Sequence, residues 1–373
     1  MHFTIETSVF RKGVDATGHA TSTSNLTPIL ENILIDVQYN RVVLTGNNLD
    51  MAIEYIVDTG VEIQSEGKFT VSSKFLSSYI SLVKESHIEV SLGKNETIIF
   101  KTSSGETKFK GMDAENFPTI PNVPQDNGIL INAKKVKSAL TKTLFSTADG
   151  NVRPMLAGIY IRSQGDNLIF ASTDSFRLSD LKISMEKPIE FTPIIIPART
   201  AMEVSKLTGD TAENMELHIH ESQIQIKIEK VCITSRLLSG KFPDYQSFFP
   251  EEHQTKTTLL RNDLINALKQ VNLVARQNNY NTRLRSHHDG KVEIFTGDTE
   301  VGNSTLTISG TTEGQEDTVG INSQYLLDVL SIMREDYISF EYKNPLSPVV
   351  IRGVAEGEND FGEYRHLIMP LKI

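Results

Sequence analysis

Apolar residues recur along this chain in two alternating rhythms. Short runs with every second position apolar, such as Ile88/Val90/Leu92, Met215/Leu217/Ile219, Ile224/Ile226/Ile228 and Ile338/Phe340, predict strands with one buried face. Between them, apolar positions at helical spacing predict amphipathic helices over 6–19, 72–84, 132–148, 197–207, 260–277 and 322–334. The order is helix, strands, helix, strands, and then it begins again. That pattern predicts an α+β fold in which antiparallel sheets are covered by helices on one side.

The recurrence has a period. FTVSSKFLSSYISLV, IIIPARTAMEVSKLT and VGINSQYLLDVLSIM each run from a β-branched strand into a helix, and Val71, Ile196 and Ile321 within them lie 125 residues apart. Ser72, Pro197 and Asn322 mark the three helix starts. Phe117-Pro118 and Phe242-Pro243 keep the same 125-residue register, and Leu44, Phe170 and Phe295 precede polar turns at separations of 126 and 125. Boundaries fall at Pro121, Pro124 and Gly128 and again near His253, which gives expected domains 1–127, 128–253 and 254–373. Each domain contains two helix-plus-strands halves, so the chain holds six similar pieces.

Composition agrees with a folded chain of several domains. Its 373 residues exceed what one core organises, and 39% hydrophobic with 23% charged residues is globular usage. The one cysteine, Cys232, excludes an intramolecular disulfide framework and a multi-cysteine metal site, and suits a reducing compartment. The N-terminal stretch lacks an apolar core of signal-peptide length, and no apolar run is long enough to span a bilayer. A cytoplasmic protein is expected.

Charge changes the picture through its distribution. The net charge is −10, yet the six helical segments carry +9 and the remainder −19. Lys134, Lys135, Lys137 and Lys142 share one helix that has no acid, and Lys74, Arg199 and Lys206 lie on two others. Solvated helix faces are the plain explanation for any one of these. Segregation across repeats argues instead for a shared basic surface that suits a polyanion. No aromatic ladder accompanies the lysines, so base stacking is not expected, and any contact with DNA would be to phosphates, salt-sensitive and indifferent to sequence. Arg153, in a loop, is grouped with the DNA-facing cations.

Enzymatic chemistry finds little support. There is no glycine-rich phosphate loop and no His-Glu-x-x-His zinc signature. His218 and His220 alternate on one strand and read as solvent-facing, and His287-His288-Asp289 reads as a turn. Asp174 has Asn48 and Thr299 at its repeat-equivalent positions, so it reads as a turn cap rather than an acid–base group. Cys232 reads as inert core. No catalytic residue, metal or cofactor is expected.

Four segments, RPMLAG from Arg153, TDSFRL from Thr173, SRLLSGKFPDY from Ser235 and the terminal LIMPLKI, together resemble the bacterial DNA polymerase III beta subunit family, the replicative sliding clamps. The resemblance spans the whole chain. It implies three tandem clamp-like domains per chain and a head-to-tail homodimer, domain one against domain three, closing a ring with helices lining the hole. It further implies a non-catalytic processivity subunit that encircles duplex DNA, is opened by an ATP-dependent clamp loader, and serves the replicative polymerase and repair and ligation proteins. Those partners would insert a short motif into a pocket formed by Leu156, Thr173, Phe176, Arg177, Leu178, Pro243, Phe248, Leu367, Met369, Pro370 and Leu371. An apolar chain end such as LIMPLKI must lie against something, which fits such a pocket, and Arg177 is expected to meet a peptide carbonyl or carboxylate at its rim. The chain departs from the family at Ser24, Pro154 and Met155, where relatives carry an arginine or two tyrosines, and Lys372 replaces a closing arginine. Those loop changes keep open a second reading, a peptide-binding scaffold that does not load on DNA. A third, a hydrolase or transferase on a repeated scaffold, lacks a convergent nucleophile and base.

Overall fold

The computed structural model describes residues 1–22, 27–125, 128–150, 153–354 and 362–372; Ser24 lies outside them. Among the described residues six helices begin at nearly even intervals: α1 Thr7–Gly18, α2 Ser73–Leu82, α3 Ala133–Leu144, α4 Ala198–Leu207, α5 Arg261–Ala275 and α6 Ser323–Ile332. Each falls within its predicted span. Helix α3 stops short of residue 148 because Ser146 and Thr147 turn back, their amides donating to the carbonyls of Thr143 and Leu144. The Ser146 hydroxyl is then held 2.8 Å from that of Ser179. Of the three marked helix starts, only Asn322 caps with its side chain, accepting from the amides of Gln324 and Tyr325 at 2.9 and 3.1 Å. No helix is long and apolar enough to cross a membrane.

The strands pair antiparallel throughout and gather into two sheets of 13 and 12 strands among the described residues. Each sheet belongs to one compact unit: residues 1–134 with 203–237, and residues 135–202 with 238–373. The middle repeat is thus divided between the units, and hydrogen bonding explains the division. Its strand Val231–Arg236 joins Met51–Val57 of the first repeat, with Ile233 opposite Ile53. Its strand Arg177–Ser184 joins the terminal strand Glu363–Ile368, with Leu181 opposite Tyr364. An unpaired strand edge invites a neighbour, and each half of the middle repeat satisfies its edge against a different one.

In the first unit α1 packs beside α2 and lies on the strands Arg41–Asn47 and Met51–Val57. Phe3, Ile5, Phe10, Leu44, Ile80 and Phe100 fill the space beneath and are fully buried. Two glycines permit the close approach. A Cβ on Gly13 of α1 would lie 2.6 Å from Leu44 Cδ1, and one on Gly46 would lie 2.0 Å from the carbonyl oxygen of Thr17. In the second unit α5 packs beside α6 and rests on the strand Thr305–Gly314.

Candidate functional site

The strand Asn167–Thr173 enters a tight turn at Asp174 and leaves as Arg177–Ser184. Asp174 builds that turn: its Oδ1 accepts from the amides of Phe176 and Arg177 at 2.9 and 3.0 Å. The Thr173 hydroxyl donates to the Arg177 carbonyl at 2.7 Å, and Ser175 takes a left-handed φ of 81°. Asp174 is therefore a cap, as its repeat position suggested. The effect is to hold Phe176 outward, 60% exposed.

The terminal strand pairs beside this turn, with Leu178 opposite Leu367 and Arg177 opposite Ile368. Its continuation stays ordered, because the Met369 amide donates to the Phe176 carbonyl and the Leu371 amide to the Gly320 carbonyl, both at 2.8 Å. Leu156, Leu178 and Leu367 are buried in one cluster with Phe242, Tyr245 and Phe249. Pro243 and Phe248 stand exposed beside members of that cluster, Met369 is exposed, and Pro370 and Leu371 are half-buried. The result is an apolar floor with exposed Phe176, Phe248 and Met369 nearby. A cleft of about 450 Å³ opens beside Leu156, lined also by Arg153, Asp174, Ser175, Phe176 and Tyr325; of the eleven expected pocket residues only Leu156 and Phe176 line it.

Buried polar groups fasten this region. The Asp180 carboxylate, almost fully buried, accepts from Tyr245 Oη at 2.6 Å and Arg365 Nε at 2.9 Å. Burial beside that carboxylate pushes the Tyr245 phenol upward. The Arg365 guanidinium lies 3.8 Å over the Phe249 ring. Together these contacts pin the segment after Phe242-Pro243 onto the sheet.

Arg177 does something other than expected. Its side chain is only 12% exposed, with Nε 3.0 Å from Asp174 Oδ2 and Nη1 2.5 Å from Asp328 Oδ2. The guanidinium also lies 4.4 Å over Tyr325 and 5.3 Å over Phe145. Committed to two carboxylates and two rings, it is a strut within the cleft wall rather than a free cation at the rim. Tyr325 and Asp328 were not singled out from sequence, although they follow directly on the marked helix start Asn322.

The cations expected to face DNA divide. Lys74, Lys134, Arg199 and Lys206 are exposed, and Lys135 and Lys137 are half-buried. Lys206 shares its charge with the buried Glu203 at 3.2 Å, which His19 also approaches at 3.1 Å. Lys142 is a correction: it is 6% exposed, and its ammonium lies 5.4 Å over the Tyr364 ring. Burial lowers its pKa, so it is packed wall and not part of a cationic surface. Arg153 likewise belongs to the cleft, where Nη1 donates to the Ser175 hydroxyl at 3.0 Å.

The remaining candidates differ in burial. His220 is exposed but His218 is buried, contrary to the expected solvent-facing pair, because Gly128 closes over it so tightly that a Cβ there would lie 2.8 Å from His218 Cε1. Cys232 is buried and its thiol is pushed up to about 12 by burial, which leaves it protonated. Among the described residues no group of three or more His, Cys, Asp or Glu side chains is placed to hold a metal.

Comparison with known proteins covers the same ground end to end. Residues 1–121, 130–244 and 246–372 match the family models of the N-terminal, central and C-terminal domains of the DNA polymerase III beta subunit. The beta sliding clamp of Staphylococcus epidermidis is 28% identical over all of this chain and 99% of its own. The crystal structure of the beta subunit of the Streptococcus pyogenes DNA polymerase superposes with a TM-score of 0.94 at 25% identity, covering all of both chains. The Bacillus subtilis sliding clamp gives 0.93 at 25% identity, covering all of this chain and 99% of that one.

Proposed function

The chain belongs to the DNA polymerase III beta subunit family, and from that membership we propose how its parts divide the work of a sliding clamp. Two copies join head to tail, domain one of each against domain three of the other, and close a ring around duplex DNA. Each copy contributes domains 1–127, 128–253 and 254–373, their helices turned toward the hole. Each also offers one peptide pocket, around Leu156, Leu178 and Leu367, to the polymerase catalytic subunit, an ATP-dependent clamp loader, and repair and ligation proteins in the cytoplasm. The clamp is a non-catalytic processivity subunit. It retains a polymerase by encirclement, so its contacts with DNA need be neither tight nor specific.

The observation that carries this is the tandem match of three clamp domains across nearly the full chain. Charge supports it: without the buried Lys142 the helical segments still carry +8 against −19 elsewhere, a segregation that suits phosphate on a helix-bearing surface. Exposed apolar side chains support the head-to-tail join. Phe75 is exposed and stacks on Phe109 in the first repeat, and Leu273 on α5 of the third repeat is 79% exposed. Two different exposed apolar sites on one chain suit a heterologous contact that closes after two copies.

Retention on plasmid tests the ring. After loading onto nicked circular DNA, the protein is expected to remain bound through gel filtration and to run off once the plasmid is linearised. Equal loss from circle and line would overturn encirclement.

A further inference from the structure

The first repeat contains a natural control for the cleft of the second. Asn48, Leu49, Asp50 and Met51 stand 126 residues before Asp174, Ser175, Phe176 and Arg177. The turn is the same in both. Leu49 and Ser175 have φ of 75° and 81°. Asn48 Oδ1 accepts from the amides of Asp50 and Met51, as Asp174 Oδ1 does from Phe176 and Arg177. The Arg236 amide donates to the Asp50 carbonyl at 2.9 Å, matching the 2.8 Å bond from Met369 to Phe176. Such a turn therefore folds without an arginine.

What the first repeat lacks is the onward link. With Met51 in place of arginine, Asn48 Nδ2 is buried without a hydrogen-bond partner. The groove beside that turn measures about 90 Å³, against about 450 Å³ in the second repeat. In the second repeat Arg177 reaches on to α6, where Asp328 Oδ2 receives it and Gln324 Nε2 holds Asp328 Oδ1 at 2.8 Å. The same helix supplies Tyr325, which lies under the guanidinium and lines the cleft. A planar guanidinium held by two carboxylates and two rings is a stiff connection, because its donors are fixed in direction.

We propose that Asp328 is a positioning residue of the peptide pocket: acting through Arg177, it fixes the Phe176 turn relative to the Tyr325 helix and holds the cleft open before a partner segment arrives. This rests on the pocket assignment above. Preorganisation lowers the cost of binding, so loss of the strut speeds release of the bound segment more than it slows capture.

The probe is a fluorescent peptide from the polymerase catalytic subunit, followed by anisotropy and stopped flow on the full-length protein. Asp328→Asn is expected to weaken binding at least tenfold, with most of the loss in the dissociation rate. Asp174→Asn with Arg177→Met recreates the first repeat's turn, so it is expected to fold, as read by circular dichroism, and to bind as weakly. In an Arg177→Met background, Asp328→Asn is expected to add less than a twofold change, the non-additivity of a residue that acts through another. Wild-type affinity in Asp328→Asn, or a full tenfold loss from it when Arg177 is already methionine, would overturn the proposal. If Phe176→Ser and Met369→Ser leave affinity unchanged, the peptide sits elsewhere and the pocket assignment itself falls.

Discussion

Single residues show where side-chain fate departs from sequence pattern. Lys142 shares a helix with Lys134 and Lys135, and nothing in its spacing says that its ammonium will lie over the ring of Tyr364, a residue more than two hundred positions away. His366 is similar. Strand alternation places it in LIMPLKI's approach, but only the fold shows it fully buried, 2.9 Å from the Ser179 hydroxyl through Nδ1 and 5.2 Å from the Phe145 ring centroid. Burial, with Arg177 as the lesser cause, takes its pKa down to about 3. The sign follows: below the ordinary value near 6.5 the unfolded chain binds a proton that the folded chain refuses, so stability falls as pH drops from about 6.5 toward 3. The slope from this one group approaches about 1.4 kcal/mol per pH unit. Urea unfolding of wild type and His366→Asn at pH 7.5 and 5.5 checks it, with the wild type expected to lose about 1 kcal/mol more than the variant. Equal losses would show that other groups carry the acid sensitivity.

At the scale of elements the sequence was informative about order and spacing and silent about partnership. Apolar spacing and strand-to-helix junctions located the six helices found among the described residues, because both are local properties. The division of the middle repeat was not visible. The pairing of Val231–Arg236 with Met51–Val57 joins segments about 180 residues apart, and alternation alone names no partner for an edge strand. Part of the pocket was equally hidden. The family motifs point to Leu156 and Phe176 of the proposed pocket, whereas Tyr325 reaches the cleft and Asp328 reaches Arg177 from a different helix. Close approach of α1 to its sheet is a further property of packing. Gly46 has no room for a methyl group, since the obstacle is the main-chain carbonyl of Thr17 rather than a movable side chain. Gly46→Ala is therefore expected to destabilise the first unit by roughly 3 kcal/mol, while Gly105→Ala, whose Cβ meets nothing within 4 Å, tests the separate cost of a positive φ. Thermal unfolding of both variants checks this; a Gly46→Ala melting temperature equal to wild type would mean that α1 shifts freely on its sheet.

For the whole molecule the decisive quantity is how many chains act together. Leu273 on α5 is 79% exposed, and the stacked Phe75 and Phe109 of the first repeat are exposed and half-buried, so each offers apolar surface that a second copy can cover. If Leu273 meets the Phe75 and Phe109 patch of a second copy, Leu273→Asp places a carboxylate against two aromatic rings at both junctions of the ring, because each junction uses the same pair of surfaces. Sedimentation equilibrium is expected to give about twice 41.6 kDa for the wild type and a value near the single-chain mass for the variant at micromolar concentration. If the peptide pocket is the one proposed, the same variant should keep its affinity for the polymerase peptide, since no residue of α5 lines the cleft. Loss of dimer with retention of peptide binding separates the two tasks of the molecule, encirclement and recruitment. A variant that stays dimeric would move the junction to another surface, and with it the assignment of domain one to domain three.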